Sequence, residues 1–367
     1  MKNIMIAGAS QGFGHVKAAV NLSHALRKAD RSNNLRVIDV FDYFPTVLRL
    51  VAKNGWSYTS THFHKGYSRL YKRSITCSKS LLFGEIIRKY GVNPIIAELR
   101  SNPPDVFIAT HAMALPLGEA LKKEFGCKFF SVATDFILHS GHVTEGVDLI
   151  FTPAKYERAL NGRQLQSFRR RIVTTGIPID SLFARSKNQN NLLKEYGFIT
   201  ERKTVLVSFG GDGINAIRNV NLLIELERSG LPLQFLVLTG KNKKFHAIME
   251  NLFSGNKAVK IISFQDSVSD LYTAADFFVG KAGGLSISEA VAKNLPMFFV
   301  DRLPGQEEFN VKVISELNLG TYTPSYEILE KKIRLLLKND FRDGIGDFDT
   351  IARPNSSETI AGLVLAY

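Results

Sequence analysis

The sequence predicts an α/β chain folded as two Rossmann-like domains with parallel sheets. Three observations carry that expectation. Short apolar runs recur at intervals that leave room for one helix between each pair, the spacing of parallel strands joined by crossovers. Two of these runs, residues 3–8 (NIMIAG) and 203–208 (KTVLVS), open into glycine turns followed by helical periodicity, so the same grammar begins twice. And 367 residues exceed the roughly 250–300 that a single core usually serves.

The first run ends in Gly8 and is followed by Ala9-Ser10-Gln11-Gly12-Phe13-Gly14-His15, then by a helix pattern through Ala18, Ala19, Leu22 and Leu26. The glycine spacing is not the G-x-G-x-x-G dinucleotide fingerprint, and Asp39 or Asp42 after the next strand gives only thin support for NAD. His15 stands at a helix N-terminus, where the dipole favours a neutral imidazole. Such a ring serves equally as a general base or as a capping, phosphate-facing group, and the stretch leaves both open.

Residues 45–90 differ in composition. Nine Lys and Arg residues face one acid, Glu85, and Trp56, Tyr58, Phe63, Tyr67, Tyr71 and Phe83 are interleaved among them. A solvated helical face with core aromatics is the simplest explanation. An interfacial surface, with cations on anionic head groups and rings at the boundary, comes next, and nucleic acid last.

Further strands are expected at 105–109 (ending in Thr110-His111), 128–133 (ending in Thr134-Asp135), 148–152 and 171–175, with a helix pattern through Tyr156 and Leu160. His111, Asp135, His139 and His142 all lie just past strand ends, where they can share a crevice with His15. Their spacing lacks the tight pairs of a zinc site, so no metal is expected. Residues 184–191 (ARSKNQNN) read as the linker, dividing the chain into domains 1–183 and 192–345 with a tail, 346–367, that forms a closing helix.

In the second half Gly210-Gly211-Asp212-Gly213 follows the first strand, and strands at 234–238 and 259–263 lead into Lys241 and Phe264. Residues 275–310 then read strand, Gly280-Lys281-Ala282-Gly283-Gly284, helix, strand and a polar loop, Pro304-Gly305-Gln306-Glu307. Adjacent glycines at a helix start let backbone N–H groups reach an anion, and the dipole favours phosphate there. Glu289, one turn into the helix, is placed as an acceptor for ribose hydroxyls. Alone, the glycines fit an ordinary turn that packs helix on strand; with Glu289, Gln306 and Glu307 in order they point to a nucleotide-sugar site.

Composition sets the remaining bounds. The chain is 45% hydrophobic and 22% charged, as globular proteins are. It has no apolar run of about 18 residues, so no transmembrane helix is expected, and the N-terminus lacks a signal layout. Cys77 and Cys127 make no framework, which fits a reducing cytoplasm. A net charge of +13 implies an anionic partner: nucleotide, anionic lipid surface or nucleic acid.

These residues resemble the monogalactosyldiacylglycerol synthases and the processive diacylglycerol glucosyltransferases. The resemblance spans nearly the whole chain. It rests on Gly12-Phe13-Gly14-His15 with Ala18-Ala19, Thr134-Asp135-Phe136 with His139, Thr175-Gly176-Ile177-Pro178, Gly210-Gly211-Asp212-Gly213, Lys281-Ala282-Gly283-Gly284 with Ser288-Glu289-Ala290, and Pro304-Gly305-Gln306-Glu307. It implies a GT-B fold, two Rossmann-like domains facing across a cleft, and an inverting, metal-independent transfer from a UDP-sugar, a co-substrate rather than a cofactor, to a lipid acceptor. His15 and Asp135 would be catalytic, with Asp135 orienting His15 or acting alone as base. Gly211, Gly213, Phe264, Gly283, Gly284, Ser286 and Glu289 would hold UDP, and Gln306 and Glu307 the donor sugar. Gly14, His139, His142, Trp56 and Tyr67 would lie on the acceptor side, with residues 45–90 against an anionic membrane on its cytoplasmic face and no nucleic-acid partner. The chain departs from the family at Ala282 (usually proline, so a looser loop is expected), at His142 (usually tryptophan) and in its glycine-poor first loop. The rivals are an N-acetylglucosaminyltransferase acting on a peptidoglycan lipid precursor, a UDP-N-acetylglucosamine 2-epimerase, and a non-catalytic nucleotide or nucleic-acid binder.

Overall fold

The computed structural model describes residues 1–10, 12–46, 49, 69, 71, 92–160, 162–211, 216–338 and 344–367. Gly213, Trp56, Tyr67 and nearly all of the segment 45–90 lie outside the described residues. The described chain forms two compact units.

In the first unit the strands are β1 (Asn3–Gly8), β2 (Asn34–Asp39), β3 (Val106–Ala109), β4 (Lys128–Val132), β5 (Ile137–Leu138), β6 (Leu149–Thr152), β7 (Glu157–Arg158) and β8 (Ile172–Thr174). Helices α1 (Phe13–Ala29), α2 (Asn93–Leu99), α3 (Leu115–Phe125) and α4 (Gly162–Phe168) run between them. Six strands make one parallel sheet in the order β2-β1-β3-β4-β6-β8, and β5 pairs with β7. The strands read as continuous apolar runs because both faces are covered. Met5, Ala7, Phe107, Ala109 and Phe129 pack toward α2 and α3, whereas Ile4, Ile6, Ile108, Phe130 and Val132 pack toward α1 and the C-terminal helix. The helix expected through Tyr156 and Leu160 is absent there. Those residues include β7, whose backbone pairs with β5, and α4 starts only at Gly162.

The second unit carries β9 (Lys203–Ser208), β10 (Leu233–Gly240), β11 (Val259–Ser263), β12 (Phe277–Lys281), β13 (Met297–Asp301) and β14 (Gly320–Tyr322), all parallel, in the order β11-β10-β9-β12-β13-β14. Its helices are α5 (Gln189–Glu195), α6 (Val220–Arg228), α7 (Lys243–Leu252), α8 (Ser269–Ala274), α9 (Gly284–Ala292), the part of α10 (Gln306–Glu316) from Asn310 onward, and α11 (Tyr326–Lys338). Val205, Val207, Phe235, Val237, Phe277 and Val279 form one core with α6, α7 and α11.

The unit boundaries correct the expected 1–183, 192–345 and 346–367. The first unit comprises Met1–Ser181 together with Leu303–Phe309 and Asn355–Tyr367; the second comprises Leu182–Arg302 and Asn310–Pro354. The supposed linker is partly helical, since Asn188 caps α5 by accepting from the Asn191 amide at 3.1 Å. The closing helix, α12 (Ser356–Ala366), buries Ile360, Ala361 and Val364 in the first unit's core. Its first two serines do not cap it. The Ser356 and Ser357 hydroxyls donate to the Ile177 and Ile179 carbonyls, each at 2.6 Å, and so tie the helix to the chain after β8.

In both sheets the strand order reverses once. Counted by chain order, the second sheet runs 3-2-1-4-5-6 and the first 2-1-3-4-5-6. In open α/β sheets ligands bind past the carboxyl ends of the strands at this reversal. That rule puts the loops after β1 and β3 at the first unit's site, and those after β9 and β12 at the second's.

Candidate active site

In the first unit, His15 lies in the first turn of α1 after β1 and is 9% exposed. Its Nδ1 is 2.5 Å from the Thr134 hydroxyl. That hydroxyl donates its one proton to the Thr110 carbonyl at 3.3 Å, and the Thr110 hydroxyl donates to the His15 carbonyl at 3.0 Å. Thr134 therefore has only a lone pair to offer the ring. In the tautomer that this pattern favours, a neutral His15 donates from Nδ1 and carries its acceptor lone pair on Nε2. The group that meets His15 at Nδ1 is thus Thr134, the residue before Asp135.

Asp135, 6% exposed, follows β4, and its carboxylate accepts from the Gln306 side-chain amide. Gln306 belongs with Leu303–Phe309 to the first unit, so its amide is committed to a candidate catalytic carboxylate. Glu307, expected on the donor sugar, accepts from the Leu303 amide at 2.6 Å and holds the Pro304-Gly305 turn. Gly305 has φ 84°, and a Cβ there would lie 2.8 Å from the Tyr71 ring, so the turn requires glycine on both counts.

The other histidines gather at the same strand ends. The His111 and His15 rings sit edge-on, 4.4 Å apart, and His139 lies 4.1 Å from His142 and 6.0 Å from Tyr71. Each of these three has its Nδ1 accepting a backbone N–H: Met113 on His111 at 3.1 Å, Gly141 on His139 at 3.0 Å, and His139 on His142 at 3.4 Å. Burial, reinforced by neighbouring rings, pushes His139 down to about 3 and holds His111 and His142 well below the usual imidazole range. They stay neutral, with the proton on Nε2. His139 and His142 are reciprocal caps of a short turn, which explains how histidine is accommodated where the family usually has tryptophan. Asp39, the possible ribose ligand of a dinucleotide fold, instead accepts from the Ser10 and Phe41 amides. Among the described residues no group of three His, Cys, Asp or Glu side chains is arranged to hold a metal ion.

In the second unit, β12 runs into Lys281-Ala282-Gly283 and Gly283 is the N-cap of α9. The Gly283 amide donates to the Lys281 carbonyl at 2.9 Å, so it is not one of the donors expected for phosphate. The first amide bonded within the helix is that of Ile287, to Gly283 at 3.0 Å. Gly284, Leu285 and Ser286 thus have no helical carbonyl to meet, and their amides sit at the positive end of the dipole. Ala282 is fully buried. Its amide donates to the Asp301 carbonyl at 3.1 Å and its carbonyl accepts from the Asn310 side chain at 2.9 Å. The looser loop expected there is not found, because a non-proline residue supplies an N–H that continues the β12–β13 ladder.

Glu289 lies in α9, 6% exposed. Gly211 follows β9 and its carbonyl accepts the Lys241 amide at 2.7 Å. Phe264, just past β11, carries the Lys241 ammonium 4.8 Å over its ring. Lys241, Thr134 and Tyr71 were not singled out from the sequence as site residues. Only Thr134 had a local signal, its place beside Asp135 at a strand end.

Among the described residues no helix is long and apolar enough to cross a membrane. Residues 15–179 match the monogalactosyldiacylglycerol synthase family model, and residues 204–343 match the glycosyltransferase family 28 C-terminal domain. The chain is 26% identical over 378 residues to a processive diacylglycerol beta-glucosyltransferase of Bacillus cytotoxicus, covering 99% of this chain and 93% of that one. The spinosyn rhamnosyltransferase SpnG bound to thymidine diphosphate superposes with a TM-score of 0.64 at 12% identity, covering 100% and 99% of the two chains. MurG of Acinetobacter baumannii gives 0.59 at 14%, covering 100% of both. These two structures speak for the GT-B fold alone. Both halves are thus matched in order: the first is similar to the monogalactosyldiacylglycerol synthases, the second to the glycosyltransferase family 28 C-terminal domain, and nearly the whole chain to processive diacylglycerol glucosyltransferases.

Proposed function

We propose that the protein is an inverting glycosyltransferase that moves a hexose from a UDP-sugar to the hydroxyl of a diacylglycerol-type lipid, working at the cytoplasmic face of a membrane. The observation that carries the mechanism is His15, buried at the strand-order reversal with its Nδ1 on the hydroxyl of Thr134, the residue before Asp135. The lipid O–H gives its proton to Nε2 as its oxygen attacks the anomeric carbon. The bond from that carbon to the diphosphate breaks, and the electron pair leaves with UDP. The amides of Gly284, Leu285 and Ser286 and the α9 dipole offset the charge on the leaving group, the role a metal plays in other transferases.

The diacylglycerol acceptor is supported by the relatives' activity, and the membrane by the basic, aromatic composition of residues 45–90. The peptidoglycan-precursor alternative has fold likeness to MurG in its favour and nothing more specific. In-line displacement is tested by the anomeric configuration of the lipid product, read by proton NMR. An α-linked UDP-sugar must yield a β-glycoside; an α-glycoside contradicts the mechanism.

The Pro304-Gly305 turn gives a second expectation. Gly305→Ala forces a left-handed alanine and displaces Tyr71, beside His139, and shifts the loop that carries Gln306 to Asp135. Misplacement on this scale lowers kcat/KM by about ten- to a hundred-fold. Steady-state kinetics on the UDP-sugar check it, and an unchanged kcat/KM places the turn outside the site.

A further inference from the structure

Three histidines of the first unit end in hydrogen-bond donors that the fold does not use. His111 and His139 each N-cap a single turn, Ala112–Ala114 and Ser140–His142, and the His142 ring reaches back to the His139 amide. Their Nδ1 atoms accept backbone N–H groups at 3.1 Å (His111), 3.0 Å (His139) and 3.4 Å (His142). An imidazole that accepts at Nδ1 carries its proton on Nε2 and has no second lone pair to offer. Among the described residues no acceptor takes any of these three Nε2 protons. His142 is 6% exposed, and a donor buried that far is seldom left without a partner.

The three rings share one corner of the unit with His15. His111 meets His15 edge-on at 4.4 Å, and His139 lies 4.1 Å from His142. The two capped turns touch: a Cβ at Gly141 would lie 3.1 Å from the Ala112 Cβ and 2.7 Å from the His139 ring, so glycine is what lets them meet. Protonating any of the three rings at Nδ1 would break its capping bond, so the corner answers a ligand with neutral donors. Carboxylates and phosphates are better served by cations. A carbonyl oxygen, which accepts and never donates, is the matching group.

We propose that the Nε2–H groups of His111, His139 and His142 form a donor-only pocket for the ester carbonyl oxygens of the lipid acceptor. The proposal rests on the reading of that acceptor as a diacylglycerol and of His15 as its base. In a 1,2-diacylglycerol the carbon bearing the free hydroxyl is bonded to one bearing an ester. Hydroxyl and carbonyl are therefore a few bonds apart, on the scale that separates His15 from His111. His15 takes the proton of the oxygen that reacts, and the other three hold oxygens that do not.

The test compares 1,2-dioleoylglycerol with its dioleyl ether, which keeps the hydroxyl and both chains but lacks both carbonyls. Each is offered to the full chain in anionic vesicles with UDP-glucose or UDP-galactose, and kcat/KM is read for both lipids. Wild type is expected to prefer the ester. His142→Asn should shrink that preference by about three- to ten-fold, the size of one hydrogen bond. Asparagine can still accept the capping amide through its oxygen, while its NH2 stops short of the Nε2 position. His111→Asn should act in the same direction. A wild type that uses ester and ether equally overturns the pocket and leaves the transferase reading standing. Variants that keep the wild-type ratio overturn it too, as does an equal fall for both lipids, which puts the histidines on something other than a carbonyl. A wild type that glycosylates neither lipid overturns the diacylglycerol reading itself. Should one variant fail to fold by circular dichroism, the other decides, and the wild-type ratio needs no variant.

Discussion

Lowering the pH from 7 to 5 is expected to destabilise the first unit, by about 2 kcal/mol through His139 alone, with His111 and His142 acting in the same direction. His111, His139 and His142 are neutral in the folded chain, chiefly through burial, with His139 titrating at about 3. Unfolded, each takes up a proton near pH 6.5. Because the folded values lie below the unfolded one, the stability is fully present above about pH 6.5. It is lost as the pH falls toward the folded values, at about 1.4 kcal/mol per group per pH unit. Urea unfolding of the full chain at a series of pH values measures it. His142→Trp, which removes one of the three rings, should make the slope shallower. A stability flat between pH 7 and 5 contradicts the account of neutral, caged histidines.

The second large effect is catalytic. His15→Ala is expected to lower kcat by about a hundred- to ten-thousand-fold, the worth of a positioned general base, with little change in the KM for the UDP-sugar. Thr134→Val keeps the shape but removes the acceptor for Nδ1–H, so it should lower kcat in the same direction by less. Asp135→Asn should also lower kcat, through the lost charge beside the reacting hydroxyl and the altered bond to Gln306. If His15→Ala retains near-normal turnover while Asp135→Asn abolishes it, the carboxylate is the base and the imidazole only binds.

Much of the fold was legible because parallel strands covered on both faces are short, continuous and apolar. Residues 3–8, 203–208 and 259–263 announce β1, β9 and β11 on composition alone. β14 and the β5–β7 pair were not legible, being too short for any period to register. The candidate residues found from the sequence are those with a local signature, such as His15 after a glycine turn and Gly283-Gly284 before a helix. What connects them is not local. Thr134 meets His15 across 119 positions, and Gln306 meets Asp135 across 171. The misplaced boundary has the same origin, since the sequence of α12 does not say which core it closes.

The most direct test of the proposed activity is the lipid product itself. The full chain is incubated with vesicles of diacylglycerol and anionic phospholipid and a panel of UDP-hexoses, and the extracted lipids are weighed by mass spectrometry. The account predicts diacylglycerol carrying added hexose with at least one UDP-hexose, and none with the His15→Ala protein. No glycosylated diacylglycerol with any donor, together with turnover of UDP-N-acetylglucosamine on a peptidoglycan lipid precursor or its epimerisation without transfer, would contradict it.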